Sequence, residues 1–196
     1  LLSAPPIAPD AVLAELNRAR TAPLEVALLL EQDLPRFRGT LFDRDDAPSL
    51  LTNEGAEAVK EAIAFLGTAT TCDPLAWDRS LAQAAETLRR EQSTDGTVGH
   101  QAADGSSVAD RVSRFADWDG QVGENIAYGS ETPLRVALDT IVDDGVPGRG
   151  HRNTLFDCAY KLAGVACGPH PRYRTVCVVV FASRVQPRSI EVVPKN

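Results

Sequence analysis

Apolar residues recur at helical spacing through the first two-thirds of the chain and gather into β-branched runs towards its end. Asp10 to Arg20 sets Val12, Leu13 and Leu16 on one helical face, with Asp10 as the cap. Thr21 reads as the cap of a second helix, PLEVALLLEQDL, with Pro23 in its first turn. From Leu34 to Asn53 the periodicity dissolves into Pro, Asp, Arg and Gly, the pattern of a long loop. Asn53 then caps a third helix carrying Val59, Ile63 and Leu66, and Gly67 stops it. Leu81, Ala84, Ala85 and Leu88 form the stripe of a fourth, capped by Asp78 or Ser80, with Trp77 ahead of it as a core anchor.

Beyond Thr94-Asp95-Gly96, Ser106 or Ser107 caps a helix over VADRVSRF, and Gln121 to Gly129 is a short extended segment between glycines. Pro133 opens PLRVALDTIV, which Asp143-Asp144-Gly145 closes. Leu162 to Cys167 and Thr175 to Phe181 are β-branched, with GPHPRYR looping between them, which predicts a hairpin. The residues after Arg184 read as an extended trailing segment. Helices, an extended segment, a helix and a terminal hairpin predict an α+β fold with antiparallel strands covered by helices. A doubly wound sheet would require strand–helix alternation.

Composition narrows the function classes. The 196 residues fit one domain with an elaboration, and 43% hydrophobic content supplies a core. A net charge of −7 and a pI near 5.0 argue against nucleic acid or an anionic membrane as the main partner. No apolar run approaches the roughly 18 residues of a transmembrane segment. There is no methionine, which fits a processed or trimmed product, and LLSAPPIAP could border a removed signal peptide. Four cysteines without a CxxC step fit two disulfides in an oxidising compartment better than zinc knuckles; four buried cytosolic thiols are the alternative. Cys167 and Cys177 would face each other across the hairpin, leaving Cys72–Cys158 by elimination. Loop closure gives about 3 kcal/mol for the first bridge and about 4–5 kcal/mol for the second.

Three polar residues follow glycines: His100, Glu124 and His151. Two imidazoles plus water suit zinc or another divalent cation, and a neighbouring carboxylate could ligate it, orient it or take a proton from bound water. The catalytic candidate is therefore Glu124, the general base of a metal-assisted hydrolase. Spacing alone favours a blander reading, two hydrogen-bonded surface histidines. No HExxH or GxSxG is present, so Ser106 and Ser107 are helix caps, and His170, between prolines, reads as exposed and without a role.

The segments GHQAADGSSVADRV, GENIAYG and GHRNTLF, in that order before a cysteine-bearing hairpin, resemble the CAP superfamily of cysteine-rich secretory, antigen 5 and pathogenesis-related 1 proteins. The resemblance is greatest to its bacterial and protist SCP-like branch. It implies a three-layer α-β-α sandwich with a central antiparallel sheet and a cleft lined by two histidines and two acids. His100, His151 and Glu124 take three of those places. The family draws the second acid from a Trp-x-x-Glu helix; here that helix reads LDTIVDD, which leaves Asp144 or Asp143. The domain would span 10–184, between an extension at 1–9 and a tail at 185–196. Residues 34–71 look like an insertion, dispensable for the core and cut first by proteases between Pro35 and Ser49. The aromatic-rich signature of animal and plant members is missing after His151.

The resemblance implies a secreted domain, extracellular or periplasmic. Its cleft would hold a divalent cation, weakening as pH falls through roughly 6.5 where free histidine protonates. Candidate partners are a lipid or other small apolar ligand, a glycan or a protein. A disulfide-stabilised structural domain with an idle histidine pair is the remaining alternative.

Overall fold

β-Branched residues that can be buried on both faces belong at the centre of a sheet, and the run Thr175 to Phe181 takes that place. The computed structural model describes residues 6–44 and 48–187. Most of the expected N-terminal extension and of the tail, and residues 45–47 of the expected cleavage segment, lie outside the described residues.

The chain opens with α1 (Pro9–Thr21) and α2 (Pro23–Glu31), each entered through a proline in its first turn rather than a side-chain cap. The expected caps are otherwise engaged or placed: Asp10 lies inside α1, and the Thr21 hydroxyl donates to Asn17 O. A 3-10 turn (Leu34–Arg36) leads into three two-residue strands, β1 (Phe37–Arg38), β2 (Leu41–Phe42) and β3 (Leu50–Leu51), paired in that order as a small antiparallel sheet. The expected long loop is therefore a folded flap, stapled by Phe37 against Phe42 at 4.8 Å. Next comes α3 (Ala56–Leu66), whose Val59, Ala62 and Leu66 join the main core.

After β4 (Ala76–Trp77) comes α4 (Arg79–Asp95), capped by Asp78 through Leu81 N and ended by Gly96 in the left-handed region. Trp77 is 46% exposed; the nearby Leu75 is buried instead, in the core that includes α1 and α6. The five-residue α5 (Val108–Val112) starts on a capping box between Ser107 and Asp110. β5 (Ala116–Tyr128) is much longer than the expected segment, because its first half pairs with Arg184–Pro187 across a bulge. α6 (Pro133–Val142), α7 (Gly150–Phe156), β6 (Leu162–His170) and β7 (Arg174–Pro187) complete the order. Residues 185–187 thus belong to the sheet, not to a tail.

The main sheet runs β4-β6-β7-β5, antiparallel except for the two-residue β4, which pairs with β6 in parallel. On β7, Cys177, Val179 and Phe181 face a core shared with α1, α2, α3, α6 and α7. Val176, Val178, Val180 and Ala182 face a second core under α4 and α5. The result is an α-β-α sandwich. Both expected disulfides are formed, Cys72–Cys158 and Cys167–Cys177.

Candidate functional site

One edge of the sheet, the outer side of β5, is left open where the two helical layers meet. Each layer delivers one histidine to that edge, and each histidine is backed by a buried carboxylate.

From the α4–α5 layer, the loop 96–107 presents His100. Gly99 sits at φ +100°, a backbone region that L side chains rarely adopt, and this is what its glycine supplies. Both of its main-chain groups are held: its N–H donates to the Tyr128 hydroxyl at 3.0 Å, and its carbonyl accepts from Gln92 Nε2 at 2.7 Å. The Tyr128 hydroxyl in turn donates to Gln92 Oε1, and burial pushes that phenol up from its ordinary pKa. The His100 ring is then oriented by Glu124 of β5, with Nδ1 3.0 Å from Oε1. The imidazole side chain is 56% exposed while the carboxylate is 1% exposed. The other oxygen of Glu124 accepts from Arg111 of α5, which also donates to the carbonyls of His100 and Ser106. Both Glu124 oxygens are thus engaged, one by His100 and one by Arg111, which fixes the carboxylate behind the imidazole. Gly123 before it is required for packing, since a Cβ would lie 2.5 Å from the Tyr160 hydroxyl.

From the other layer, α7 carries His151 at its second position. Its Nδ1 lies 2.6 Å from Asp143 Oδ1, and its main-chain N–H donates to Asp143 Oδ2 at 2.8 Å. Asp143 is the C-cap of α6 at φ 53°, which turns its carboxylate back onto the start of α7. Gly150 has open space where a Cβ would go, so the unusual backbone here belongs to Arg149, at φ 54°. Arg152 ties α7 to α6 by donating to the Ile141 and Val142 carbonyls at the end of α6.

The histidine rings thus come to 6.2 Å between centroids. In each, Nδ1–H donates to a carboxylate, so the lone pair of the neutral ring is on Nε2. Asp144 does something else with its carboxylate: Oδ2 accepts from Asn53 N at 2.6 Å and Oδ1 from Glu54 N at 2.8 Å, docking the inserted flap. Asn53, expected to cap α3, is spent on that contact, and Gly55 takes the cap position. Arg149 completes the docking by pairing with both Glu54 and Glu61. Arg149 and the Gly145 N–H hold the Glu54 carboxyl at a pKa of about 2, below the usual range.

Between the flap and the sheet edge lies a chamber of about 380 Å³. Phe37, Phe42, Leu50 and Val59 of the inserted segment form one wall, Ile126 and Tyr128 the other, and both histidines stand at its border. Asp144 also contributes to the lining. The flap that sequence periodicity left structureless therefore contributes Phe37, Phe42, Leu50 and Thr52 to the lining. The only sequence signal for it was the pair of phenylalanines.

His170 is not exposed: it is 2% accessible. Its Nδ1 accepts from the Arg172 and Tyr173 N–H groups at 3.2 Å each, and Nε2 lies 3.0 Å from Thr97 O. The ring sits inside the β6–β7 turn and ties that turn to the loop bearing His100. As a metal site, the pair at the edge offers two nitrogens with their carboxylates turned behind them. No group of three or more His, Cys, Asp or Glu placed to hold a metal occurs among the described residues. The rings also stand about 1 Å further apart than the roughly 5 Å expected around a shared tetrahedral zinc. Two nitrogens without a further protein ligand do not make a structural zinc site.

A model of the cysteine-rich secretory protein family, CAP, matches residues 13–181. No curated protein matches significantly. Among solved structures, an outer surface protein of Borrelia burgdorferi aligns at TM-score 0.49 and 18% identity, over 60% of this chain and 80% of that one. An SCP-domain extracellular protein of Bacillus anthracis aligns at TM-score 0.45 and 19% identity, over 63% of this chain and 38% of that one. A cysteine-rich secretory protein of Staphylococcus aureus gives 0.42 and 15%, over 65% of this chain and 37% of that one. This chain therefore spans well under half the length of the latter two.

Proposed function

The chain belongs to the cysteine-rich secretory protein (CAP) family, and from that premise we propose that it is an extracytoplasmic ligand-binding module. Its cleft captures an exchangeable divalent cation on His100 and His151 beside a chamber for a small apolar ligand. The observation that carries this reading is the convergence of two carboxylate-backed imidazoles, neither with a hydrogen bond to Nε2 among the described residues, at the border of a half-open chamber. A carboxylate accepting from Nδ1–H fixes the tautomer and makes Nε2 a better donor. Two protein nitrogens give modest affinity, so folding does not depend on the metal. Neutral rings are needed for coordination, so acid weakens binding. The apolar walls contributed by Phe42, Val59 and Ile126 suit a hydrocarbon group. Two disulfides support a location outside the reducing cytosol.

Hydrolysis with Glu124 as general base is the weaker reading, because that carboxylate already serves His100 and Arg111. Calorimetric titration of zinc at pH 7.5 into the wild type, His100→Gln and His151→Ala tests the proposal. Saturable binding in the wild type, lost in both variants, is expected. Equal binding in all three, or none in the wild type, would return the pair to ordinary hydrogen-bonded histidines.

A further inference from the structure

The chamber has a property that side chains alone do not reveal: part of its floor is an unpaired strand edge. Gly129 N donates to Thr175 O at 3.1 Å, which sets Gly129 opposite Thr175 as a hydrogen-bonded pair. Across β6 and β7, Cys167 and Cys177 face each other with Cα atoms 4.1 Å apart, the close spacing of a non-hydrogen-bonded pair. Both observations give β7 the same phase. Residues 175, 177 and 179 turn their main chain towards β5, and on β5 residues 125, 127 and 129 answer them. The register is unbroken from Val122 to Tyr128, the bulge lying before it. Glu124, Ile126 and Tyr128 therefore point their N–H and C=O groups outward, away from β7. Among the described residues, no hydrogen bond reaches these outward groups. Ile126 is nonetheless buried, and Ile126 and Tyr128 line the chamber.

Buried main-chain polar groups without a partner require either water or a ligand. A strand edge is the template for an extended polypeptide, whose amides supply the missing partners and whose side chains fall alternately to the two sides. We propose that the chamber binds an extended basic–apolar peptide segment that adds as a fifth strand along Glu124–Tyr128 of β5. One set of its side chains enters the apolar wall made by Phe42 and Leu50, and the other faces His100. Its charge follows from the lining, which holds four aspartates against one arginine, on a chain of net charge −7. Asp33 and Asp139 are already shared with Arg135, so a peptide cation meets the remaining negative field at Asp143 and Asp144. This inference deepens the binding-module reading by naming the ligand class, and it rests on the cleft, not on the cation.

The test uses a fluorescein-labelled acetyl-(Lys-Val)₃-amide and two N-methylated isomers, one methylated on the Lys amides and one on the Val amides. In an added strand only alternate amides face the protein edge. One isomer should therefore lose about tenfold in affinity, the loss expected for two hydrogen bonds, while the other binds within about threefold of the parent. The acidic counterpart, acetyl-(Glu-Val)₃-amide, should not bind saturably, and Leu50→Lys at the half-exposed rim, which removes an apolar contact and adds a like charge, should weaken the parent peptide severalfold. Anisotropy titrations are run in EDTA, so they report on the strand edge while the zinc titration reports on the histidines. No saturable binding of the parent, equal retention or equal loss by the two isomers, or equal binding of the acidic peptide would overturn the proposal.

Discussion

Replacing Arg111 by methionine should expose how the His100 half of the site is held. The guanidinium side chain is fully buried, the Glu124 side chain is 1% exposed, and the two are in direct contact. Arg111 Nη1 also donates to the His100 and Ser106 carbonyls, each at 3.0 Å. Methionine keeps much of the volume and none of the donors, so one carboxylate oxygen and two carbonyls are left without their cation. Removing one member of a buried pair costs about 3–5 kcal/mol, because the surviving charge stays desolvated. For a domain of this size each kcal/mol shifts Tm by about 2–4 °C, so a fall of about 6–20 °C is expected. Glu124→Gln should cost less, since Gln retains an acceptor for Arg111. In the double variant the stranded charge is gone, so it should be at least about 1 kcal/mol more stable than additivity requires. Urea unfolding of the four proteins with disulfides intact supplies the cycle. A loss below about 1 kcal/mol in Arg111→Met, or strict additivity, would refute the view that this ion pair supports the site.

Gly164 on β6 lies under the start of α4, where a Cβ would stand 2.0 Å from Ala82 N. Gly164→Ala forces backbone apart and should cost at least the roughly 1–3 kcal/mol of an overpacked core; a neutral effect on urea unfolding would show that α4 does not sit so close. The carboxyl of Glu54 is held at about 2 by Arg149 and the Gly145 N–H, below its unfolded value, so its contribution to flap docking is present above about pH 4.5 and lost as pH falls towards 2. Glu54 is partly exposed, so the effect is local and salt-screened. Hydrogen exchange of residues 53–66, corrected for intrinsic rate, should show protection falling between pH 5 and pH 2.5, and unchanged protection contradicts the docking role. Replacing Cys72 and Cys158 by serine should cost about 4–5 kcal/mol, against about 3 kcal/mol for Cys167 and Cys177, because the first bridge closes 86 residues and the second 10. The reverse ranking in thermal unfolding would count against a loop-entropy origin.

Local signals carried the elements that local chemistry decides. The α4 stripe and the β-branched hairpin stand where the residues indicated, and of the paired cap candidates Asp78 and Ser107 take the position. The disulfide pairing followed from the same hairpin. What remained illegible depends on partners distant in the chain. Asp117 to Asp119 has no strand pattern and becomes strand by pairing with the far end of β7. The seven residues of α7 are too few for helical periodicity to register. His170, flanked by prolines, reads as surface, and only the backbone N–H groups folded over its ring make it an interior acceptor. Asp143 and Asp144 are chemically identical neighbours. The left-handed turn at Asp143 sends one carboxylate to His151 and the other to the flap. Phe37 and Phe42 match neither helix nor strand spacing, so the chamber wall was hidden although its residues were in plain view.

The central claim is that His100 and His151 present their Nε2 atoms to one ligand while His170 stays bonded inside its turn. Long-range ¹H–¹⁵N correlation of the three imidazoles, recorded at pH 7.5 before and during a zinc titration, observes those atoms directly. Before zinc, His100 and His151 should both carry their proton on Nδ1 and His170 on Nε2. Added zinc should move the Nε2 resonances of His100 and His151 together, with one saturation curve, and leave His170 in place. Zinc-induced shifts confined to one of the pair, shifts at His170, or an Nε2–H tautomer at His100 or His151 would contradict the account.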